Sequence, residues 1–393
     1  MSFDFDAPID RRGTASLKWD FCERVYGVPG VIPMWVADMD FAAPPVVLEA
    51  LRRRAAHGVY GYPMVPASFW EAAAGWFRRR QSWPVERSWM TLAPGVVPAL
   101  SLCVNAFTRP GDKIVIQTPV YHPFYSAIEL NGRRIVRNPL RWEGRRLVMD
   151  LASADVWRDP RTRLLVLCSP HNPGGRVWTR AELAALEAVC AARDIVVIAD
   201  EIHGDLILPG HAFTPFATLS AGAAARTVTL TAPSKTFNVA GLGTALAIAS
   251  NPRLKDAFDA QIQSAGLTVN SVFGLAACEA AYAGGDGWLD ALLAYLDQNA
   301  AFTEQFVAER MARIGFVRPE GTYLGLLDFR ALGLSQTDLN DLLLRKAKVF
   351  FDPGTKFGEE LRGWQRINLG CPRAQLGEAL ERVARAVESL GRT

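Results

Sequence analysis

The sequence predicts an α/β fold, in which helices flank a mostly parallel central sheet, followed by a smaller α+β domain. In the middle of the chain, short apolar runs alternate with segments of helical periodicity, and this rhythm changes after about residue 285. Such alternation favours a parallel sheet with helices on both faces. A chain of 393 residues, half of them apolar, can bury a core of this kind in more than one domain.

The strands of the large sheet are predicted from four apolar runs, at residues 113–117, 163–168, 195–199 and 226–231. Between the second and third runs, Thr179 is followed three residues later by Glu182. This capping box predicts the start of a helix, whose apolar stripe continues until Asp194 closes it. A long apolar helix is also predicted from Gly95 to about Phe107.

The C-terminal part predicts a different arrangement. Helices are expected near residues 288–313, 335–347 and 374–391, and strands near 322–329, 348–352 and 365–370. We therefore divide the chain into an N-terminal arm of residues 1–45 that joins the small domain, a large domain of residues 46–284, and a small domain of residues 285–393. No long linker separates the two domains, so we expect them to pack closely.

Composition indicates which partners and compartments to expect. A formal charge of +3 gives no support for a nucleic-acid or anionic-membrane partner. The apolar segment at residues 239–250 has 12 uncharged residues, too few to span a bilayer, and the polar, acidic N-terminus does not resemble a signal peptide. Six scattered cysteines form no C-x-x-C pair, and Cys168 lies in an apolar run as a small buried hydrophobe. A cytoplasmic location is expected.

Three polar residues follow the ends of predicted strands: Asn172, Asp200 and Lys235. Ligands of open parallel sheets bind beyond the carboxyl ends of the strands. Taken singly, the asparagine could shape a turn, the aspartate could cap a helix and the lysine could be exposed. Together they predict a site for pyridoxal phosphate (PLP). Lys235 would form an imine with its aldehyde and act as a base, Asp200 would keep its ring nitrogen protonated, and Asn172 would donate to its phenolic oxygen.

Further residues complete this predicted site. Gly95, Val96 and Val97 open a helix, whose first turn is a natural anion site for the phosphate group, and the Ser234 hydroxyl could add to it. Tyr121 could stack on the pyridine ring, although without the other residues of the site core packing would be the favoured explanation.

A substrate residue is predicted in the C-terminal part. Arg366, which precedes a predicted strand, could hold the α-carboxylate of an amino acid through two parallel hydrogen bonds. The expected partner is thus a small-molecule substrate, an amino acid.

The chain resembles the class I/II aminotransferase superfamily of fold-type I PLP-dependent enzymes, and within it the cystathionine β-lyase, or C–S lyase, branch. The resemblance runs in order along nearly the whole chain. It rests on the segments PMWVADMDF (33–41), HGVYGY (57–62), APGVVP (93–98), PVY (119–121), CSPHNPG (168–174), DEIH (200–203), APSKTFN (232–238), GTY (321–323) and RIN (366–368).

The resemblance implies the PLP-dependent transferase fold and the same roles for the residues above. It adds His203, at a position where many transaminases have a tyrosine near the phenolic oxygen. Tyr62, with Tyr60 as the alternative, resembles a tyrosine that reaches the phosphate of the neighbouring subunit's cofactor. A homodimer with shared active sites is therefore implied. Trp35 and Ala37 lie in a segment that resembles the one lining the substrate side.

Two positions depart from the pattern of many transaminases. Ala232 stands where those enzymes carry a serine three residues before the lysine, and Gly243 stands where they carry an arginine or lysine eight residues after it. Both departures weaken the analogy to transaminases for phosphate binding, and the second fits the lyase branch.

The predicted function is an α,β-elimination on an L-amino acid with a β-sulfur leaving group, which yields a thiol, pyruvate and ammonia. An aminotransferase on the same scaffold is the alternative, and a catalytically silent PLP-fold binding protein is another. A helicase-type reading of residues 200–203 fails because no lysine follows a glycine, as a phosphate loop requires. A metal cluster of Asp200, Glu201, His203 and Asp205 lacks a second ligand group, so no metal is expected.

Overall fold

The computed structural model describes residues 3–391. Helices and strands alternate from residue 90 to about residue 250, as the sequence pattern predicts. The α-helices of the described chain are α1 (Leu17–Tyr26), α2 (Pro45–Ala56), α3 (Ala67–Gln81), α4 (Val96–Phe107), α5 (Pro123–Glu129), α6 (Ala154–Arg158), α7 (Arg180–Ala192), α8 (Ala221–Arg226), α9 (Pro233–Thr236), α10 (Pro252–Ser264), α11 (Val272–Gly284), α12 (Asp286–Arg310), α13 (Gln336–Asp341) and α14 (Arg373–Glu388).

The strands of the described chain belong to one large sheet, one smaller sheet and two short pairs. They are β1 (Ile32–Pro33), β2 (Met90–Ala93), β3 (Lys113–Ile116), β4 (Arg134–Arg137), β5 (Arg141–Glu143), β6 (Arg146–Val148), β7 (Thr162–Cys168), β8 (Val196–Asp200), β9 (Thr227–Thr231), β10 (Ala245–Ile248), β11 (Gly315–Val317), β12 (Leu324–Asp328), β13 (Val349–Phe350), β14 (Asp352–Pro353) and β15 (Trp364–Asn368).

The large sheet has seven strands in the order β2-β10-β9-β8-β7-β3-β4. From β9 to β4 all neighbours are parallel, whereas β10 runs antiparallel to both β9 and β2. This arrangement confirms the predicted α/β class and its mostly parallel sheet. The four predicted strands are β3, β7, β8 and β9, and the structure adds the edge strands β2 and β4 and the antiparallel β10.

The central strands are apolar without alternation because both faces of the sheet are covered. In β7, Leu164 and Val166 pack in the core under α4, while Leu165 and Leu167 pack on the opposite face with α7. The capping box predicted at Thr179 and Glu182 is present at the start of α7. The sheet therefore lies between two helical layers, and its strand ends are fixed from both sides.

Strand register brings the candidate site residues to one edge. Cys168, the last residue of β7, lies opposite Asp200, the last residue of β8, and Asp200 lies opposite Leu230 near the end of β9. The loop with Asn172 and the short helix with Lys235 follow directly. Because parallel strands end at the same edge, residues far apart in sequence meet there.

The small sheet is antiparallel, in the order β11-β12-β15-β14, and α12 and α14 flank it. Two predicted elements differ from the structure. The predicted helix at 335–347 is α13 followed by a π-helical turn at Leu342–Ala347, and the predicted strand at 348–352 is divided into β13 and β14. A π-helical turn and two short strands leave nearly the same spacing of apolar residues as one longer helix and one longer strand. The sequence pattern alone therefore does not distinguish the divided elements from the undivided ones.

The N-terminal arm reaches the C-terminal part of the chain, where β1 pairs in parallel with β13. Buried charges hold the arm against the body. The Lys18 ammonium lies 2.8 Å from the Asp40 carboxylate, and Arg11 pairs with both Asp38 and Asp40. Breaking one partner of a buried pair costs more than an exposed pair contributes. The arm is therefore firmly seated, while the proposed boundaries between the arm and the two domains stay a prediction.

Candidate active site

A cavity of about 220 Å³ lies where β7, β8 and β9 end, under the arm and beside the start of α4. It brings together most of the residues that the sequence predicts for one site. Those lining it are Ala37, Gly95, Val96, Val97, Tyr121, Asn172, Asp200, His203, Ser234 and Lys235. Pro98, Cys168, Ile202 and Ala240 complete the wall.

Lys235 lies in α9, which Pro233 starts directly after β9. Its amine donates a 2.7 Å hydrogen bond to the Ala37 carbonyl of the arm. Burial lowers the pKa of this amine to about 8, because the charged form loses solvation, and Asp38 opposes the change. A fraction of the amine is therefore uncharged near neutral pH, and in that form it is a nucleophile and a base.

Asp200 ends β8 and turns its carboxyl group into the cavity, where one oxygen accepts a 3.2 Å hydrogen bond from the Ile202 amide. Burial raises the pKa of Asp200 to about 7, while the Ile202 amide and Lys235 oppose the shift. A carboxyl group in this environment gains stability from a cationic N–H beside it. The site thus suits a protonated ring nitrogen.

The neighbouring Glu201 points to the opposite side of the strand. Its Oε1 accepts a 2.7 Å hydrogen bond from the Phe216 amide, and its Oε2 is buried without a partner. Burial raises the pKa of Glu201 to about 8, and Asp200 adds to the shift. Successive side chains of a strand face opposite ways. Among residues 3–391, no three His, Cys, Asp or Glu side chains are grouped so that they could hold a metal ion.

Arg366 lies at the edge of the site in β15 and joins Asn172 to the rest of the chain. Its Nη1 donates to the Asn172 Oδ1 at 2.7 Å, and its Nη2 donates to the Trp35 carbonyl at 2.9 Å and to the Asp352 carboxylate. Phe357 underlies the guanidinium, 4.6 Å from its ring centre. Because the Asn172 oxygen is taken, its amide nitrogen is the group left to donate toward the cavity.

Two buried nitrogen atoms of this site have no partner in the described chain: Nε of Arg366 and Nδ1 of His203. Burial lowers the pKa of His203 to about 3, and the cations Lys235 and Arg366 add to the effect, so the imidazole is neutral. A buried donor or acceptor without a partner costs free energy. Both atoms are therefore suited to contact a bound polar ligand.

The start of α4 forms the remaining wall. Gly95 is its N-cap residue, and no side chain caps the first turn. A Cβ added to Gly95 would lie 3.4 Å from the Pro98 side chain, an ordinary van der Waals contact. The open N–H groups of a 12-residue helix form an anion site, and Ser234 lies on the same cavity. This fits a phosphate group.

The backbone conformation at Gly243 explains why no basic side chain occupies this position. Its φ of +56° lies in the left-handed region, and a Cβ there would come within 3.3 Å of the Pro94 carbonyl. Ala232, the other departure, is buried at the N-cap of α9. Of the described residues lining the cavity, Lys235 is the one lysine or arginine. A phosphate here would depend on helix amides and hydroxyls.

The remaining predicted residues lie outside the cavity. Tyr62 is 92% exposed, and Tyr60 donates its hydroxyl to the Ala55 carbonyl at 2.7 Å. The Trp35 ring packs on Phe350 and lines a separate groove of about 640 Å³. Within this chain, Trp35 reaches the site through its carbonyl, which Arg366 contacts.

Three residues acquire a place in the site that the sequence analysis did not assign. Asp352 holds Arg366 and also accepts from the Lys356 ammonium at 2.8 Å. Tyr323 donates to the Ala37 carbonyl at 2.8 Å. Cys168, predicted only as a buried hydrophobe, lines the cavity and accepts the Asn172 amide N–H at 3.3 Å. An aspartate between an apolar run and Pro-Gly was the one available signal for Asp352.

Comparison with known proteins agrees with this geometry. Residues 29–383 match the family model described as aminotransferase class I and II. The chain belongs to this family. It is 44% identical to cystathionine beta-lyase PatB of Bacillus subtilis (strain 168), over 98% of this chain and 100% of that protein. It is 34% identical to protein MalY of Escherichia coli (strain K12), over 99% and 100%.

A solved structure is also similar to this chain, both in sequence and in shape. Cystalysin from Treponema denticola, which contains a pyridoxal 5'-phosphate cofactor, superimposes with a TM-score of 0.95 at 36% identity, over 99% of this chain and 100% of that one. The likeness therefore includes the arm, the large sheet and the C-terminal strands that together form the cavity. Together with the family match and the 44% identity to cystathionine beta-lyase PatB, this likeness confirms the predicted resemblance to the C–S lyase branch.

A glutamine at position 201 should change how stability depends on pH. The raised pKa of Glu201 means that the folded state loses stability as pH rises from the carboxyl's ordinary value through about 8. Glu201→Gln cannot ionise, so its advantage in unfolding free energy over wild type should grow by about 2–4 kcal/mol between about pH 5 and about pH 9. Denaturant unfolding of the cofactor-free protein measures it. Glu49→Gln, at an exposed position, is the control, and equal changes in both variants would contradict the assignment.

Proposed function

We propose that this protein is a PLP-dependent carbon–sulfur β-lyase, which converts a β-thio-substituted L-amino acid into a thiol, pyruvate and ammonia. One observation carries the proposal: the Lys235 amine, the Asp200 carboxyl and the Asn172 amide line a single cavity, with Arg366 bonded at its edge. The 44% identity to a cystathionine beta-lyase supports the lyase assignment over its transaminase alternative.

The cavity fits PLP group by group. Asp200 would bond the ring nitrogen, the Asn172 amide and the neutral His203 would face the phenolic oxygen, and Tyr121 would cover the ring. Ser234 and the first turn of α4, with Gly95, Val96 and Val97, would hold the phosphate. When bound, PLP supplies an aldehyde that captures an amino group and a ring that withdraws electrons from the attached carbon.

The chain's own residues perform the remaining work. Arg366 binds the substrate α-carboxylate and so fixes which bond of Cα faces the cavity. Lys235 removes the Cα proton, and the Ala37 carbonyl accepts a hydrogen bond from the resulting ammonium. The Cβ–S bond then breaks and the electron pair leaves with sulfur. The Lys235 ammonium can return its proton to the departing thiolate, and hydrolysis of the remaining fragment gives pyruvate and ammonia.

The function is tested by incubating the purified protein with PLP and L-cystathionine. Pyruvate and a thiol should form in equal amounts without any added 2-oxo acid acceptor. If neither product forms while an added 2-oxo acid supports amino transfer, the protein is an aminotransferase and the lyase proposal is wrong.

Lys235→Ala should abolish covalent attachment of the cofactor. Wild-type protein loaded with PLP and reduced with borohydride should carry a stable pyridoxyl adduct on the peptide with residue 235, detected by mass spectrometry. The variant should carry none, because the amine is gone. Lys255→Ala, at a lysine paired with Asp259 outside the cavity, is the control and should keep the adduct. A label on another peptide would place the attachment elsewhere.

Arg366→Lys should weaken substrate binding. The lysine keeps a positive charge beside Asp352 but lacks the planar group whose unpartnered Nε would be left to bond the carboxylate. We expect KM for L-cystathionine to rise by about 10- to 100-fold, the equivalent of one lost charged hydrogen bond, with a smaller change in kcat. Steady-state kinetics measure both. An unchanged KM would remove Arg366 from substrate binding, and Arg362→Lys, an exposed neighbour, is the control.

A homodimer with shared active sites is part of this proposal. Four apolar side chains that include Tyr62 are strongly exposed: Val59 65%, Tyr62 92%, Met64 88% and Val269 60%. Burial of such side chains against a second copy is favourable, and it would bring Tyr62 to the partner's cavity. Mixed subunits of Lys235→Ala and Tyr62→Ala should regain activity above the sum of the separate variants, since one site of the hybrid is intact. No gain on mixing would contradict shared sites.

We also propose a cytoplasmic location. All six cysteines are buried and free, which suits a reducing compartment. Within residues 3–391, no helix is long and apolar enough to cross a membrane. Fractionation of the source cells tests the location, and recovery from a secreted fraction would overturn it.

A further inference from the structure

Two side chains donate to one backbone oxygen at the top of the cavity. The Ala37 carbonyl accepts from the Lys235 amine at 2.7 Å and from the Tyr323 hydroxyl at 2.8 Å. A carbonyl oxygen has two lone pairs, so these donors fill its capacity. The lysine amine thus donates to a carbonyl group whose orientation is also held by the Tyr323 hydroxyl.

The peptide groups on both sides of Ala37 are held as well. The Asn368 amide donates to the carbonyls of Val36 and Asp38, each at 2.6 Å. The buried Lys18 ammonium adds a 3.2 Å contact to the Asp38 carbonyl. The arm therefore presents a row of fixed carbonyl groups, and Tyr323 is the residue that fixes the one facing the lysine.

Tyr323 is itself held rigidly. Its side chain is 1% exposed, and its ring meets that of His203 edge to face at 6.0 Å. Thr322, the residue before it, has a φ of +69°, which is a strained conformation for a β-branched residue. The Thr322 amide donates to the Leu206 carbonyl at 2.6 Å, which holds that conformation. Strain of this kind persists where the surroundings impose it. Here the strained conformation of Thr322 directs the next residue, Tyr323, toward the site.

The hydroxyl of Tyr323 stays a donor. Burial raises the pKa of Tyr323 well above its usual value, so the group keeps its proton over the whole working range. Phenylalanine at this position would remove one of the two hydrogen bonds to the Ala37 carbonyl and would free the peptide to turn.

We propose that Tyr323 is a positioning residue for Lys235, because its hydroxyl holds the Ala37 carbonyl in the direction that receives the free lysine amine. The catalytic part of this role rests on the proposed function. Whenever Lys235 is not bonded to the cofactor, as when it acts at the substrate Cα, its amine needs a fixed acceptor. A carbonyl stabilises the ammonium form more than the neutral amine, since the charged hydrogen bond is the stronger.

The first test uses the cofactor-free protein. Trace acetylation with acetic anhydride over a range of pH, quantified by mass spectrometry of the peptide containing residue 235, gives the pKa of the Lys235 amine. In wild type we expect about 8. In Tyr323→Phe we expect a value lower by about one unit, since the ammonium loses its charged hydrogen bond while burial remains.

A matched control separates this effect from the loss of any buried tyrosine bond. Tyr125 also donates to a backbone carbonyl, that of Phe357 at 2.8 Å, without lining the cavity. Tyr125→Phe should leave the Lys235 pKa at its wild-type value. An unchanged pKa in Tyr323→Phe, or an equal fall in both variants, would overturn the proposal. Should Tyr323→Phe not fold, Ala37→Gly, which loosens the same peptide, decides in its place by the same criterion.

The second test uses the PLP-loaded enzyme with L-cystathionine. Tyr323→Phe should lower kcat about tenfold and change KM less than about twofold, because a misplaced base slows proton transfer without affecting carboxylate binding. The kinetic isotope effect with substrate deuterated at Cα should increase. A fall in kcat no larger than in Tyr125→Phe also overturns the proposal. If wild type releases no pyruvate, the proposed function fails, and the acetylation result alone decides the role of Tyr323.

Discussion

The hydrogen bonds of Arg366 are the constraint on which the site depends. One guanidinium contacts Asn172 from the large sheet, Trp35 from the N-terminal arm and Asp352 from the small sheet. Three regions distant in sequence therefore share one geometry. Arginine suits this place because its planar fork bonds in several directions and keeps its charge when buried. Replacing Asn172 or Asp352, whose side chains make two of these bonds, would loosen the orientation of the guanidinium toward its other partners.

Loss of solvent sets the chemistry of the cavity. The same desolvation lowers the pKa of Lys235, raises that of Asp200 and keeps His203 neutral. In each case the charged form is disfavoured because the cavity replaces water with apolar walls. The site is thereby prepared for a ligand that brings its own charges: a cationic ring nitrogen for Asp200 and a phosphate for the start of α4. The orphaned nitrogen atoms of Arg366 and His203 indicate the same need for a polar partner.

The backbone conformation of Gly243 and the open first turn of α4 explain how this chain can lack the basic residue that many transaminases carry at position 243. Gly243 adopts a left-handed conformation close to the Pro94 carbonyl, where a long basic side chain would be strained. The anion site therefore relies on α4 and on hydroxyl groups rather than on a local cation. This difference belongs to the end of the cavity where we propose that the phosphate binds, and the lysine, the aspartate and the asparagine still line one cavity.

The sequence by itself determined the strand-ending positions of Asn172, Asp200 and Lys235, because apolar runs mark parallel strands and parallel strands end at a common edge. It also determined the capping box of α7, which is a local pattern. It did not determine that Asp352 pairs with Arg366, that Tyr323 and Lys235 share the Ala37 carbonyl, or that residues 335–347 divide into α13 and a π-helical turn. The first arises from the pairing of two strands of the small sheet, and the second from contacts between segments 198 and 286 residues apart. The third arises from packing that overrides local spacing, and only the folded chain decides all of them.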